Sequence, residues 1–386
     1  MTTTEVLALR ILVLTKRQYM AKDLIDDHFG RFWELPFELA ALGHEIKGLT
    51  LSYRRRAEGD FIEPDKFHVV WNSVNLMRGY FPQIERYARR ALEIAQQFRP
   101  DIIWACSDAY HAIFGKWLAK KADARYVIDL YDNFEAFSAS KIPGVLPAFR
   151  QAVKAADGVT AFSTRLAAHV ERLCLRTKPT AVIENGIRQD LFGPRDKNAC
   201  RERLGLPMDS IIIGTAGALD KSRGIETLFQ AYQALTHEID DLHLALAGPR
   251  GSRLAIPVGA RVHDLANLPH QNVAEFLNAL DLAVICYRNS AQGEISFPQK
   301  AYEIVACRTP LVAARVGSMI ELLEDYPECL FQPEDPVSLV QAIRRQLKHK
   351  TVVELPVPTW NDSARRLSAF FQQFLTDDPI SDMSLS

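Results

Sequence analysis

The stretch from Gly293 to Arg315, GEISFPQKAYEIVACRTPLVAAR, has the residue types and spacing best suited to chemistry. It reads as loop, helix start, short helix, turn and buried strand. Ser296 can cap a helix, and its capping-box partner, Gln299, follows three residues later. Pro298 is tolerated in a first helical turn, where its missing N–H needs no partner. Lys300 and Glu303 are three apart and share a helix face. The unpaired N–H groups of that turn and the Lys300 ammonium attract an anion. Glu303, one turn further on, can accept two hydrogen bonds from a vicinal diol. Phosphate donors followed by a diol acceptor match a nucleotide sugar: diphosphate, then ribose. Taken alone, the same pattern also fits a plain solvated helix face, so its context decides.

A second loop supplies that context. Thr215–Gly224, TAGALDKSRG, joins a buried strand to a helix. Gly217 and Gly224 allow close backbone approach. Lys221 and Arg223 put positive charge beside a helix N-terminus, which suits a diphosphate. The loop is neither a Walker loop nor G-x-G-x-x-G, so a nicotinamide or flavin cofactor loses its main support. A third turn, Gly248-Pro-Arg-Gly251, adds Arg250 as a candidate donor contact.

The elements that must position these residues alternate strand and helix. Arg10–Leu14, His44–Leu51, Phe67–Val74, Asp101–Ala105, Arg125–Leu130, Gly158–Phe162 and Ala181–Ile183 read as strands. Helices are expected between them, among them Trp33–Leu42, Phe81–Gln97, His111–Lys121 and Pro147–Ala156. A second run follows, with strands Ile211–Gly214, Leu242–Ala247, Leu282–Tyr287 and Leu311–Ala314. Continuous apolar strands separated by helices predict parallel α/β sheets. The reading is two domains, 1–185 and 186–358, followed by a helix at about 359–375. Residues 376–386 read as a disordered tail. Asp108, Asp129 and Asp132 follow first-half strands and are candidates to face the acceptor, each also suited to capping a strand end.

Composition bounds the rest. Net charge is -1 over 386 residues, which gives no sign of nucleic acid binding. The six cysteines are dispersed without C-x-x-C, as in a reduced cytosolic chain. No apolar stretch is long enough to span a membrane. No D-x-D triplet occurs, so a metal-clamped diphosphate is not expected. Arg54–Arg56, the basic residues at 86–90, and Lys116, Lys120 and Lys121 are candidates for a face toward anionic lipid, or else scattered solvated charges.

These motifs together resemble the retaining glycosyltransferases of the GT-B fold, family 4. Glu184-Asn-Gly-Ile-Arg-Gln-Asp-Leu-Phe192 is similar to that family's P-N-G-V-D-x-x-x-F, Gly217–Gly224 to its G-R-L-x-x-x-K-G, and Phe297–Glu303 to F-P-x-K-x-x-E. The resemblance implies two doubly wound Rossmann-like domains facing a cleft, with the terminal helix crossing back to the first. It implies sugar transfer from a UDP-sugar or GDP-sugar to a glycan or lipid-linked hydroxyl, with no cofactor, in lipopolysaccharide, capsule or other surface glycan synthesis. Arg223 takes the place of the family's diphosphate lysine, Lys300 of its P-x-K lysine and Glu303 of its ribose-binding glutamate. Ala218 stands where the family has an arginine, with Lys221 as substitute. Ile295 stands at its first acidic position, with Glu294 adjacent. Asp108 lies near the family's catalytic-region histidine, and His111 is displaced from that position. A non-catalytic nucleotide-sugar binder and a nucleotide-sugar epimerase are the alternatives. The sequence does not disclose the oligomeric state.

Overall fold

The computed structural model describes residues 7–19, 22–62, 69–251, 254–295 and 299–375. Contacts divide the chain into two units, one running to Asn185 and resuming at Trp360, the other spanning Gly186–Thr359. Each is built around a largely parallel sheet whose central strands are buried on both faces.

In the first unit the strands are β1 (Arg10–Lys16), β2 (Glu45–Ser52), β3 (Gly59–Ile62), β4 (Val70–Asn75), β5 (Ile102–Ala105), β6 (Arg125–Leu130), β7 (Gly158–Ala161) and β8 (Thr180–Val182). Their order is β8-β7-β6-β5-β1-β2-β4-β3, all parallel except the edge strand β3. The order reverses between β1 and β5, where ligands of such sheets bind beyond the strand ends. The helices are α1 (Arg31–Ala41), α2 (Ile84–Phe98), α3 (Ala109–Ala122), α4 (Val145–Ala155) and α5 (Thr164–Cys174).

The C-terminal helix α13 (Trp360–Gln372) belongs to this unit. Its apolar face buries Trp360, Leu367, Phe370 and Phe371 in the same core as Trp104 and Val127. A Cβ on Gly158 would lie 2.5 Å from the Phe374 ring, so β7 starts on glycine where the end of the chain lies against it. Ser363 Oγ donates to the Glu184 carbonyl at 2.8 Å.

Asp129 does not face an acceptor. It is fully buried at the end of β6 and accepts two bonds from the equally buried Arg31, at 2.8 and 2.7 Å. Arg31 also donates to the Ile183 carbonyl and to Asn185. A buried guanidinium needs such a fork of acceptors, and Asp129 supplies the compensating charge.

In the second unit the strands are β9 (Ile211–Ala216), β10 (Leu242–Ala247), β11 (Val262–Asp264), β12 (Leu282–Ile285), β13 (Leu311–Ala314) and β14 (Leu330–Phe331). Their order, β11-β10-β9-β12-β13-β14, is the dinucleotide-fold order with its reversal between β9 and β12. Helices α6 (Lys197–Leu204), α7 (Glu226–Leu235), α8 (His270–Ala279), α9 (Ala291–Ile295), α10 (Gln299–Ala306), α11 (Ser318–Leu322) and α12 (Pro336–Lys348) complete it. Alternate strand residues feed two cores: Ile212, Ala283 and Ala313 on one face, Ile213, Val284 and Val312 on the other. Asp281 ties the reversal together, accepting from the Ile212 N–H, Arg201 and Lys197. Burial pushes its carboxyl up, but those bonds and charges outweigh it and hold it below its ordinary value.

Several elements depart from the sequence reading. The expected helix Phe81–Gln97 starts only at Ile84, because residues 77–82 form a hairpin. Helix α6 and edge strands β3 and β14 were not expected. Residues 376–386, expected to be disordered, lie outside the described residues.

Candidate functional site

The site lies where the second sheet reverses. Strand β9 ends at Ala216, and Gly217 follows with φ +110, a conformation that favours glycine. Its N–H donates to the Ala247 carbonyl at 2.7 Å, so the loops after β9 and β10 run side by side. Asp220 caps the turn Lys221–Arg223, and Gly224, at φ +72, leads into α7.

Over Gly217 sits the Lys300 side chain from the first turn of α10. A Cβ built on Gly217 would lie 2.2 Å from Lys300 Nζ, so only glycine leaves room for the ammonium. Glu303 follows one turn later on the same helix. Arg223 packs its guanidinium over the Tyr287 ring, 5.6 Å from the centroid, and Tyr287 lies just beyond the end of β12. The loops after β9 and β12 therefore bring Arg223, Lys300 and Glu303 to one crevice.

Among the described residues, neither Lys300 Nζ nor the Glu303 carboxylate has a hydrogen-bond or ion-pair partner. Both are instead coupled through space. Burial lowers the Lys300 ammonium to about 8, helped by the Arg223 charge and partly offset by Glu303. Burial raises the Glu303 carboxyl to about 7, with Lys300 pulling the other way. Charged groups held in a crevice without partners are groups arranged for a ligand.

Residues 210–349 match the family model described as "Glycosyl transferases group 1", and residues 31–186 match "Glycosyl transferase 4-like domain". The chain belongs to the group 1 glycosyltransferases. Its fold is the GT-B fold. It superposes on sucrose-phosphate synthase from Thermosynechococcus elongatus with a TM-score of 0.70 at 20% identity, over 95% of this chain and 97% of that one. Anabaena HepE, solved with UDP-glucose, gives a TM-score of 0.65 at 17% identity over 96% and 98%. A D-inositol 3-phosphate glycosyltransferase of Catenulispora acidiphila is 30% identical over 181 residues, 42% of each chain. The chain spans about half the length of the curated relatives it matches.

The other candidates of this group 1 chain fall in several places. Lys221 is in the Arg223 turn, but its ammonium lies 2.9 Å from Glu226 at an exposed position. Arg250 is engaged by Asp264, and its backbone bridges Leu219. Glu294 is half-buried in α9 while Ile295 is buried; its N–H donates to the Ser290 carbonyl. Ser296 and Pro298 lie outside the described residues. Arg288, missed in the sequence, packs its stem against Gly224 and lies 3.7 Å from Glu226. Its signal was only its place, three residues past a strand end.

Asp108 belongs to the first unit, beyond the end of β5. It caps α3, accepting from the His111 N–H at 2.9 Å, and lies 2.7 Å from His111 Nδ1. Tyr53 donates to its second oxygen at 2.9 Å. Burial pushes the carboxyl up, but His111 and Lys16 outweigh it and hold it at about 2. His111 itself lies in the first turn of α3, buried with its ring on that carboxylate. The three-residue spacing from a capping aspartate was the signal.

Gly217→Ala is expected to weaken nucleotide binding about tenfold, or about 1.4 kcal/mol. The methyl group displaces the Lys300 ammonium, and the backbone strain costs a further amount on the order of 1–3 kcal/mol of stability. Calorimetry and thermal unfolding measure the two separately. Unchanged affinity would mean that the ammonium does its work elsewhere.

Proposed function

We propose that this chain transfers a sugar, with retention, from a UDP-sugar or GDP-sugar to a hydroxyl acceptor in surface glycan synthesis, without a metal. The observation that carries the reading is the Lys300 ammonium held over Gly217, with Arg223 beside it and Glu303 one turn further on. Two cations and the backbone N–H groups of the loop suit a diphosphate, and the carboxylate suits the ribose diol. In the reaction the bond from the anomeric carbon to the diphosphate oxygen breaks, and a bond to the acceptor oxygen forms. Charge grows on the departing diphosphate, which is where Lys300 and Arg223 act. The acceptor's proton passes to the departing diphosphate oxygen as the acceptor oxygen bonds. Asp108, ionised throughout the physiological range, is our candidate on the acceptor side.

The test is calorimetry with a panel of UDP- and GDP-sugars on wild type and Glu303→Ala. One nucleotide class is expected to bind, and the substitution to cost about 1–3 kcal/mol, the range for charge-assisted hydrogen bonds. Affinity should peak between the two pKa values. It falls above about 8, as Lys300 loses its proton, and below about 7, as Glu303 gains one. Indifference to Glu303→Ala would move the diol site elsewhere. Donor binding with no turnover would instead favour a non-catalytic binder, and donor isomerisation without acceptor an epimerase.

A further inference from the structure

On the first unit, past the end of β4, the chain makes a short antiparallel hairpin, Met77–Arg78 against Phe81–Pro82. Gly79, at φ +65, suits the first central position of a two-residue II′ turn. The Gln83 N–H closes its base on the Leu76 carbonyl at 2.6 Å. The hairpin is thus a built element, yet it stands Tyr80 (96% exposed), Phe81 (74%) and Ile84 (62%) in water. Single exposed apolar residues are ordinary, but a contiguous group on an ordered tip marks a contact surface.

The base of the hairpin is basic. Arg55, Arg56, Arg78 and Arg86 line one open pocket of about 610 Å³, where Glu58 is the one carboxylate among the described residues. Glu58 is bound by Arg86 at 2.9 Å, and Arg56 reaches Asp23 at 3.1 Å. Among the described residues, Arg55 and the nearby Arg89 make no side-chain hydrogen bond or ion pair. The pocket therefore carries uncompensated positive charge next to an exposed aromatic tip.

We propose that this hairpin and its arginine pocket dock the protein on an anionic lipid bilayer, with headgroup phosphates in the pocket and Tyr80, Phe81 and Ile84 at the level of the headgroups. Aromatic side chains favour that interface, and a basic patch combined with apolar insertion anchors where either alone is weak. A soluble phosphate would leave the aromatic tip in water. An apolar protein partner would leave the guanidiniums unanswered. The bilayer satisfies both. The inference goes beyond the transferase reading and does not rest on it.

It also divides the basic face suggested by the sequence. Arg54–Arg56 follow β2 and Arg78 follows β4, at the carboxyl edge of the parallel sheet. Lys121 instead lines a cavity with Arg10, Asp101 and Arg125, at the edge where β1, β5 and β6 begin.

The test is co-sedimentation of the full chain with phosphatidylcholine vesicles and with vesicles that also contain phosphatidylglycerol. Wild type should bind only the second kind, and less as salt rises. Y80S/F81S and R55E/R78E should each weaken binding at least about tenfold, and K120E/K121E should not. All six positions are exposed, so melting temperature and donor binding should match wild type in every variant. Absence of wild-type binding to anionic vesicles overturns the proposal. So does full binding by Y80S/F81S, which would leave only a soluble-anion pocket. Equal loss in the lysine variant would overturn it too, by showing a general charge effect.

Discussion

Lys300→Met is expected to lower kcat for release of the nucleoside diphosphate about a hundredfold to a thousandfold, with a smaller change in KM. That range is the usual cost of removing one preorganised donor aimed at developing charge, about 2.7–4 kcal/mol. The reason for placing Lys300 above Arg223 and Lys221 lies in their partners. Lys221 is exposed and paired with Glu226, and Arg223 is spread over the Tyr287 ring. The Lys300 ammonium is half-buried over Gly217 with no such partner among the described residues, so its charge is least compensated and most sensitive to what arrives. Lys300→Arg should rescue little, because the planar guanidinium does not fit the space a Gly217 Cβ would occupy. A rise in KM with kcat unchanged would instead place Lys300 in uniform ground-state binding. No loss in either would remove it from the reaction.

Much of this arrangement was legible in the chain because it is local. Lys300 and Glu303 are three residues apart on a helix, and the Gly217–Gly224 loop follows a continuous apolar strand. Periodicity places both without knowledge of the rest. What was not legible depends on long-range pairing. Nothing in the sequence joins Lys300 to Gly217, which lies 83 positions earlier, and Tyr287 and Arg288 carry no motif. The hairpin's second strand, Phe81–Pro82, was read as the start of a helix for a physical reason. Phe81, Ile84 and Tyr87 recur at helical spacing, and the period alone cannot tell an exposed hairpin tip from the first turn of an amphipathic helix. Asp129 was read either as facing the acceptor or as a strand-end cap, and its residue type could not decide between the two. Its partner, Arg31, lies 98 residues earlier in a segment that reads as a helix start. The structure shows what stands there: a guanidinium that binds the end of β6 to Ile183 and Asn185, where the chain first leaves the unit.

That guanidinium gives the largest effect on stability. Asp129→Ala is expected to cost about 3–5 kcal/mol in chemical denaturation, because it leaves the Arg31 charge buried without its counter-ion. Thr160 also loses the oxygen to which its hydroxyl donates at 2.5 Å. The pair itself is worth much less than this, since two buried charges pay desolvation before they attract each other. R31M/D129L should therefore recover part of the loss, as apolar replacement of a buried pair often does. Recovery should stop short of wild type. Arg31 also serves the Ile183 carbonyl and Asn185, and an orphaned buried acceptor costs about 1–3 kcal/mol. The order wild type, double variant, Asp129→Ala follows from that balance. A double variant no more stable than Asp129→Ala would mean that the two acceptors outweigh the charge pair. Nucleotide binding separates this structural role from a catalytic one. At temperatures where the variants remain folded, donor affinity should equal that of wild type, because Lys300, Arg223 and Glu303 all belong to the other unit.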